Sequence, residues 1–168
     1  MEYTKGKLFW LVLLRMAIGW HFFYEGMVKV LNPAWTAKAY LMDSGGFLKP
    51  FFEWIAFNPS LLAVSDFINA WGLALIGFFL LLGWLVKPAA IGGMILLGLY
   101  YFSHPPFPGI EYLFPVDGSY FVIDKTLVEL LALGVVLSFP TAHLVGLERL
   151  LKKSGTFSSK SYGSGKQG

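Results

Sequence analysis

Arg15, His21, Glu25 and Lys29 stand inside one apolar run, Leu8 to Leu31. A charge near the middle of a membrane helix costs about 2.5–3.5 kcal/mol on insertion scales. Such side chains persist only against protein or a wet cavity, with partners for their polar atoms. On a helix turning about 100° per residue, His21, Glu25 and Lys29 follow at four-residue intervals and form one ridge. An imidazole and a carboxylate so placed can exchange protons with a bound molecule, and the ammonium beyond them can polarise a carbonyl oxygen. Glu25 before Lys29 is also the favourable order for an intrahelical ion pair. Arg15 projects only about 40° from Lys29 but about 21 Å lower along the axis, so it is read as a structural polar residue.

Further ionisable groups mark the ends of three more apolar runs. Asp66 and Asn69 open the second, His104 closes the third, and Asp124, Lys125 and Glu129 open the fourth. The chain is 56% hydrophobic and 14% charged, against about 25% charged in a soluble domain. The pattern predicts an all-α fold: an integral membrane four-helix bundle with spans at 8–31, 62–86, 88–103 and 123–144. The turn between the second and third spans is placed at Lys87-Pro88. In the first outer loop two short amphipathic segments, about 34–42 and 49–57, are expected at the membrane interface, where Trp35, Tyr40 and Trp54 suit the headgroup level. Residues 1–152 form the membrane domain. Residues 153–168 are Gly-, Ser- and Lys-rich and are expected to be a disordered polar tail.

The positive-inside rule orients the chain. With both termini inside, the cytoplasmic flanks hold Lys5, Lys7, Lys87, Arg149, Lys152, Lys153, Lys160 and Lys166, and the outer side holds only Lys38, Lys49 and Lys125. The expected location is a bacterial-type inner membrane, multi-pass, with both termini cytoplasmic. The first and third helices then end outside, and the second and fourth begin there. The ionisable groups of all four collect in the outer half of the bundle.

That cluster suits a lipid-soluble redox carrier. A quinone needs partners for two carbonyl oxygens, a flat apolar slot and two protons on reduction. His21, Glu25 and Glu129 are the candidates for proton exchange. Lys29, Asp66, Asn69, His104, Asp124 and Lys125 are candidates for quinone binding, with Tyr24, Tyr101 and Phe102 as walls for the ring. There are no cysteines, which excludes thiol redox chemistry and cysteine-held clusters within the chain. No pattern of metal ligands or covalent cofactor attachment occurs. The net charge of +3 belongs to the flanks and tail, so no nucleic acid is expected as a partner; membrane lipid is. A second reading treats the cluster as a structural ion-pair network in a non-catalytic scaffold or small transporter.

The segment LVLLRMAIGWHFFYEGMVKV, with Arg, Gly, His and a Glu/Gly/Lys close, resembles the first helix of the DoxX family. The short Lys-Pro hairpin and DKTLVELLALG at the fourth run fit the same family. The resemblance extends over about residues 8–150. The family includes the membrane subunit of thiosulfate:quinone oxidoreductase. The resemblance therefore implies a quinone-linked membrane oxidoreductase subunit working with a periplasmic or membrane redox partner. No such partner segment is expected within residues 1–168.

Overall fold

The computed structural model describes residues 3–107, 109–110, 112–113 and 121–151; the expected tail lies outside them. Among the described residues the structure is all-helical, with no strand. Three helices are long and apolar enough to cross a membrane: α1 (Lys5–Val30), α4 (Pro59–Leu82) and α5 (Val86–Ser103). Two short helices, α2 (Lys38–Met42) and α3 (Lys49–Phe57), lie between α1 and α4. A further helix, α6 (Lys125–Ser138), follows the loop after α5, and residues 147–151 are again helical.

Local chemistry sets these ends. Thr4 caps α1, its hydroxyl accepting from Lys7 N–H, and Asn32-Pro33 follows where α1 stops. Asn58 caps α4 through Oδ1, which accepts from Ser60 and Leu61 N–H, and Pro59 occupies the first helical position. Gly83 ends α4 in the left-handed conformation (φ 63°). The turn into α5 therefore falls at 83–85, earlier than the Lys87-Pro88 turn expected from sequence. Pro88 sits in the first turn of α5, where its missing N–H breaks no helical bond. Asp124 caps α6 by accepting from Leu127 N–H at 2.7 Å. The fourth apolar run, expected over 123–144, is helical only to Ser138. Phe139 precedes Pro140, and the residue before a proline is disfavoured in the helical region. At 14 residues, α6 rises about 21 Å, short of the roughly 30 Å hydrocarbon core.

α1 and α4 meet backbone to backbone. A Cβ added to Gly26 would stand 2.2 Å from the Ala74 nitrogen, and one on Gly77 would stand 2.2 Å from that of Phe23. Gly19 faces Leu80 and Leu81 in the same way. This order makes the two helices antiparallel and replaces side-chain interdigitation with small-residue contact. α5 packs on both α4 and α6, and α6 returns to touch α1. Phe22, Leu73, Leu80, Ala90, Leu97 and Leu133 form the shared core. A separate cluster of Ala37, Leu41, Phe52 and Ala56 holds α2 and α3 together. Trp20 and Tyr24 on α1, Phe67 on α4 and Ile95 on α5 point outward and stay exposed, as lipid-facing residues must.

One run of five residues in α4, Ile68–Gly72, widens into a π-helical turn. Within it Asn69 Nδ2 donates to Ser65 O at 2.9 Å. Its Oδ1 accepts from the Tyr100 hydroxyl, which ties α4 to α5. Arg15 lies at the other end of the molecule and is 2% exposed. Its Nη1 donates to Thr141 Oγ1 at 3.1 Å. A Cβ on Gly83 would meet both of its terminal nitrogens at 3.0 Å. The guanidinium therefore sits on the end of α4 and beside the segment that follows α6, where helix carbonyls carry partial negative charge.

Candidate functional site

A cavity of about 400 Å³ opens where the end of α1, the end of α5 and the start of α6 meet. His21, Glu25 and Lys29 reach it from α1, Glu129 and Lys125 from α6, and Asp124 from the cap of α6. His104 reaches it from the end of α5. The ridge spacing on α1 and the i, i+4 spacing of Lys125 and Glu129 on α6 put these groups on facing surfaces.

His21 Nδ1 and Glu129 Oε1 are 2.6 Å apart. With the carboxylate ionised, Nδ1–H is the donor, which leaves Nε2 as the nitrogen available for exchange with the cavity. The close partner of Glu129 is the imidazole across the α1–α6 contact, and Lys29 and Lys125 line the same cavity. The Glu129 side chain is 12% exposed and that of His21 39%, so the carboxylate is held inside and the ring faces the opening. Glu25 and Lys29 form the second pair, Oε2 to Nζ 3.7 Å. Here the cation is the sheltered partner: Lys29 is 17% exposed and Glu25 48%. The ammonium also lies 5.4 Å from the Trp35 ring centroid and 6.0 Å from that of Tyr100, within cation–π range.

The aromatic lining differs from the sequence expectation. Phe22, Tyr40 and Tyr100 line the cavity. Tyr24 and Phe102 are exposed, and the Tyr101 hydroxyl donates to Val122 O at 2.8 Å. The α5 face presented inward is Leu97, Tyr100 and His104, separated by three and four residues, and positions 101 and 102 rotate away from it. That spacing alone identifies Tyr100. Tyr40 has no comparable signal, because α2 reaches the site through the loop fold and not through its own periodicity.

Asp66 and Asn69 do not line the cavity. Asp66 Oδ1 accepts from Ala37 N–H at 2.7 Å and fixes the entry to α2, and Asn69 makes the α4–α5 tie described above. Asp124 lines the cavity, but one of its oxygens is engaged as the α6 cap. His104 anchors the loop over the site. It is buried, stacks on Tyr40 with centroids 4.0 Å apart, and holds Nδ1 3.0 Å from Ser103 Oγ. Its Nε2 stands 3.7 Å from Asp43 Oδ2 without a hydrogen bond. Asp43 Oδ1 accepts from Leu113 N–H, and Gly45 N–H donates to Ser103 O. Burial pushes the Tyr40 phenol well above its usual range, so it stays a neutral hydroxyl.

Burial also lowers the His104 pKa, and nearby Asp43 opposes that shift only in part. Below the ordinary imidazole value of about 6.5 the unfolded chain therefore binds more protons than the folded one. The stability from the neutral ring is full above that value and is lost as the pH falls through it. Melting in detergent between about pH 8 and about pH 5 is expected to show a loss on the acid side, and His104→Gln is expected to flatten it. The same pH dependence in both proteins would contradict this role; Asp43, Tyr40 and Tyr112 are the titratable groups facing the ring.

The fold and the cavity define an all-helical membrane protein with a polar chamber at one end of its helices. The DoxX family model matches residues 10–105, and the chain belongs to the DoxX family. No curated protein and no solved structure matches it. The matched residues contain most of α1 and all of α5, and so the ridge of His21, Glu25 and Lys29 as well as His104; α6 with Glu129 lies beyond them.

Proposed function

We propose that this chain is the quinone-reactive membrane subunit of an oxidoreductase. The observation that carries the reading is the cavity in which two acid–base pairs, His21–Glu129 and Glu25–Lys29, face a wall of Phe22, Tyr40 and Tyr100. A flat headgroup fits against the aromatic side. Lys29 or Lys125 hydrogen-bonds a carbonyl oxygen. Reduction of a quinone takes two electrons and two protons; the protons pass from the His21–Glu129 and Glu25–Lys29 pairs to the two oxygens. The electrons come from a donor held by a periplasmic or membrane partner subunit, because the chain carries no cysteine and no recognisable electron carrier of its own.

In this reading α1, α4, α5 and α6 act as a four-helix membrane bundle, closed by the α1–α6 contact, with α2 and α3 at the outer interface. Both termini are cytoplasmic in a bacterial-type inner membrane, as the lysine distribution favours. The cavity then opens in the outer half of the bilayer, where quinone is available from the lipid. The test is a titration of purified protein with a short-chain quinone, read by tryptophan quenching. Trp35 lies beside Lys29 and provides a local reporter. Saturable quenching supports the reading. Quenching that rises linearly, as for partition into detergent, would leave the paired charges as the structural network of a scaffold or small transporter.

A further inference from the structure

A second chamber of about 360 Å³ adjoins the polar cavity. The two share Lys29, Tyr40, Tyr100 and Thr126 as walls. The rest of the second chamber is formed by Trp35, Thr36, Ala37, Ala39 and Asn69. Several of its polar groups are engaged within the protein. Thr36 Oγ1 accepts from Lys38 N–H, Ala37 N–H donates to Asp66, and the Asn69 amide bonds Ser65 and Tyr100. An apolar occupant would therefore strand none of these groups, and a polar one would find them already bonded. Lys29 stands at the boundary, its ammonium paired with Glu25 on one side and lying over the Trp35 ring on the other.

We propose that the ligand of the polar cavity is an amphiphile whose hydrocarbon tail lies in this second chamber, between Trp35 and Tyr100. The proposal rests on the quinone reading of the polar cavity and adds to it a tail site and hence a preference for tailed quinones. The tail passes the Lys29–Tyr100 boundary and leaves past Thr36 and Ala39, both exposed at the rim. Specificity then divides between the two chambers: the acid–base pairs select the headgroup, and the Trp35 chamber selects for a chain.

The test compares dimethoxy-methyl-benzoquinone with its decyl derivative on the full chain in detergent. The wild type is expected to bind the decyl form at least about tenfold more tightly, since each buried methylene adds affinity. Ala39→Trp fills the tail chamber from its exposed rim. It is expected to remove most of that gain and leave binding of the tailless parent unchanged. Trp35→Ala, which strips the chamber wall, is expected to reduce the gain by about threefold by the same argument, and it serves if the first variant does not fold. A tail gain that survives both variants overturns the proposal, as does an equal loss for both ligands in Ala39→Trp. If the wild type binds the parent but gains nothing from the tail, the tail site falls and the headgroup reading stands. If the wild type binds neither, both fall.

Discussion

Glu129→Gln is expected to weaken quinone binding about tenfold or more and to slow quinone reduction about a hundredfold, with little change in melting temperature. The substitution separates shape from charge. Glutamine keeps the length of the side chain, and its amide oxygen can still accept from His21 Nδ1–H, now 2.6 Å away. The α1–α6 contact is therefore preserved. What disappears is the carboxylate that balances the charge of the imidazole while it carries the proton, which is replaced from water after transfer. A general acid–base group in this position contributes about 10²–10⁴ in rate. Glu25→Gln should have the smaller effect on binding. Its carboxylate is half exposed and 3.7 Å from its lysine, and such exposed pairs contribute about 0–1 kcal/mol. Equilibrium titration and melting of the two variants side by side check this. Equal effects on binding, or a large loss of stability in Glu129→Gln, would assign the His21–Glu129 pair a structural role.

Arg15→Ala is expected to be the most damaging single change to stability, at about 3 kcal/mol or more. The side chain is buried and its loss opens a void. It also leaves Thr141 Oγ1 without its donor and the carbonyl end of α4 at Gly83 without its cation. Arg15→Lys should not restore stability, since an ammonium cannot reproduce the planar fork that lies across Gly83. Arg15 is six residues, about 9 Å, below His21 along α1. Quinone affinity measured well below the melting point should therefore stay near that of the wild type. Thermal unfolding in detergent gives the first quantity and titration the second. A variant that melts as the wild type does would contradict the clamp.

The ridge of His21, Glu25 and Lys29 was legible in the sequence because a single helix fixes its own wheel. The convergence of Glu129, Asp124, Lys125 and His104 was legible for a related reason: helices that alternate in direction bring alternate ends to one level. Two features needed the fold. Asp66 and Asn69 belong to the helix ends expected at that level, yet they bond the α2 entry and Tyr100 instead of facing the cavity. Axial level is readable from sequence, but the azimuth of a helix against its neighbours is set by packing, here by Gly26 on Ala74 and by the π turn at Ile68–Gly72. Tyr40 was read as an interfacial anchor. It is drawn inward by stacking on His104, a residue more than sixty positions away. The pairing of Glu129 with the imidazole likewise needed the geometry of the α1–α6 contact.

Quinone is proposed to occupy the chamber between α1, α5 and α6. Photolabelling with an azidoquinone, followed by peptide mapping, locates the bound headgroup. Label is expected on residues 21–29, 97–104 and 124–129, suppressed by excess unlabelled quinone. Label confined to the exposed faces around Trp20 and Phe67, or unaffected by competitor, would contradict that placement.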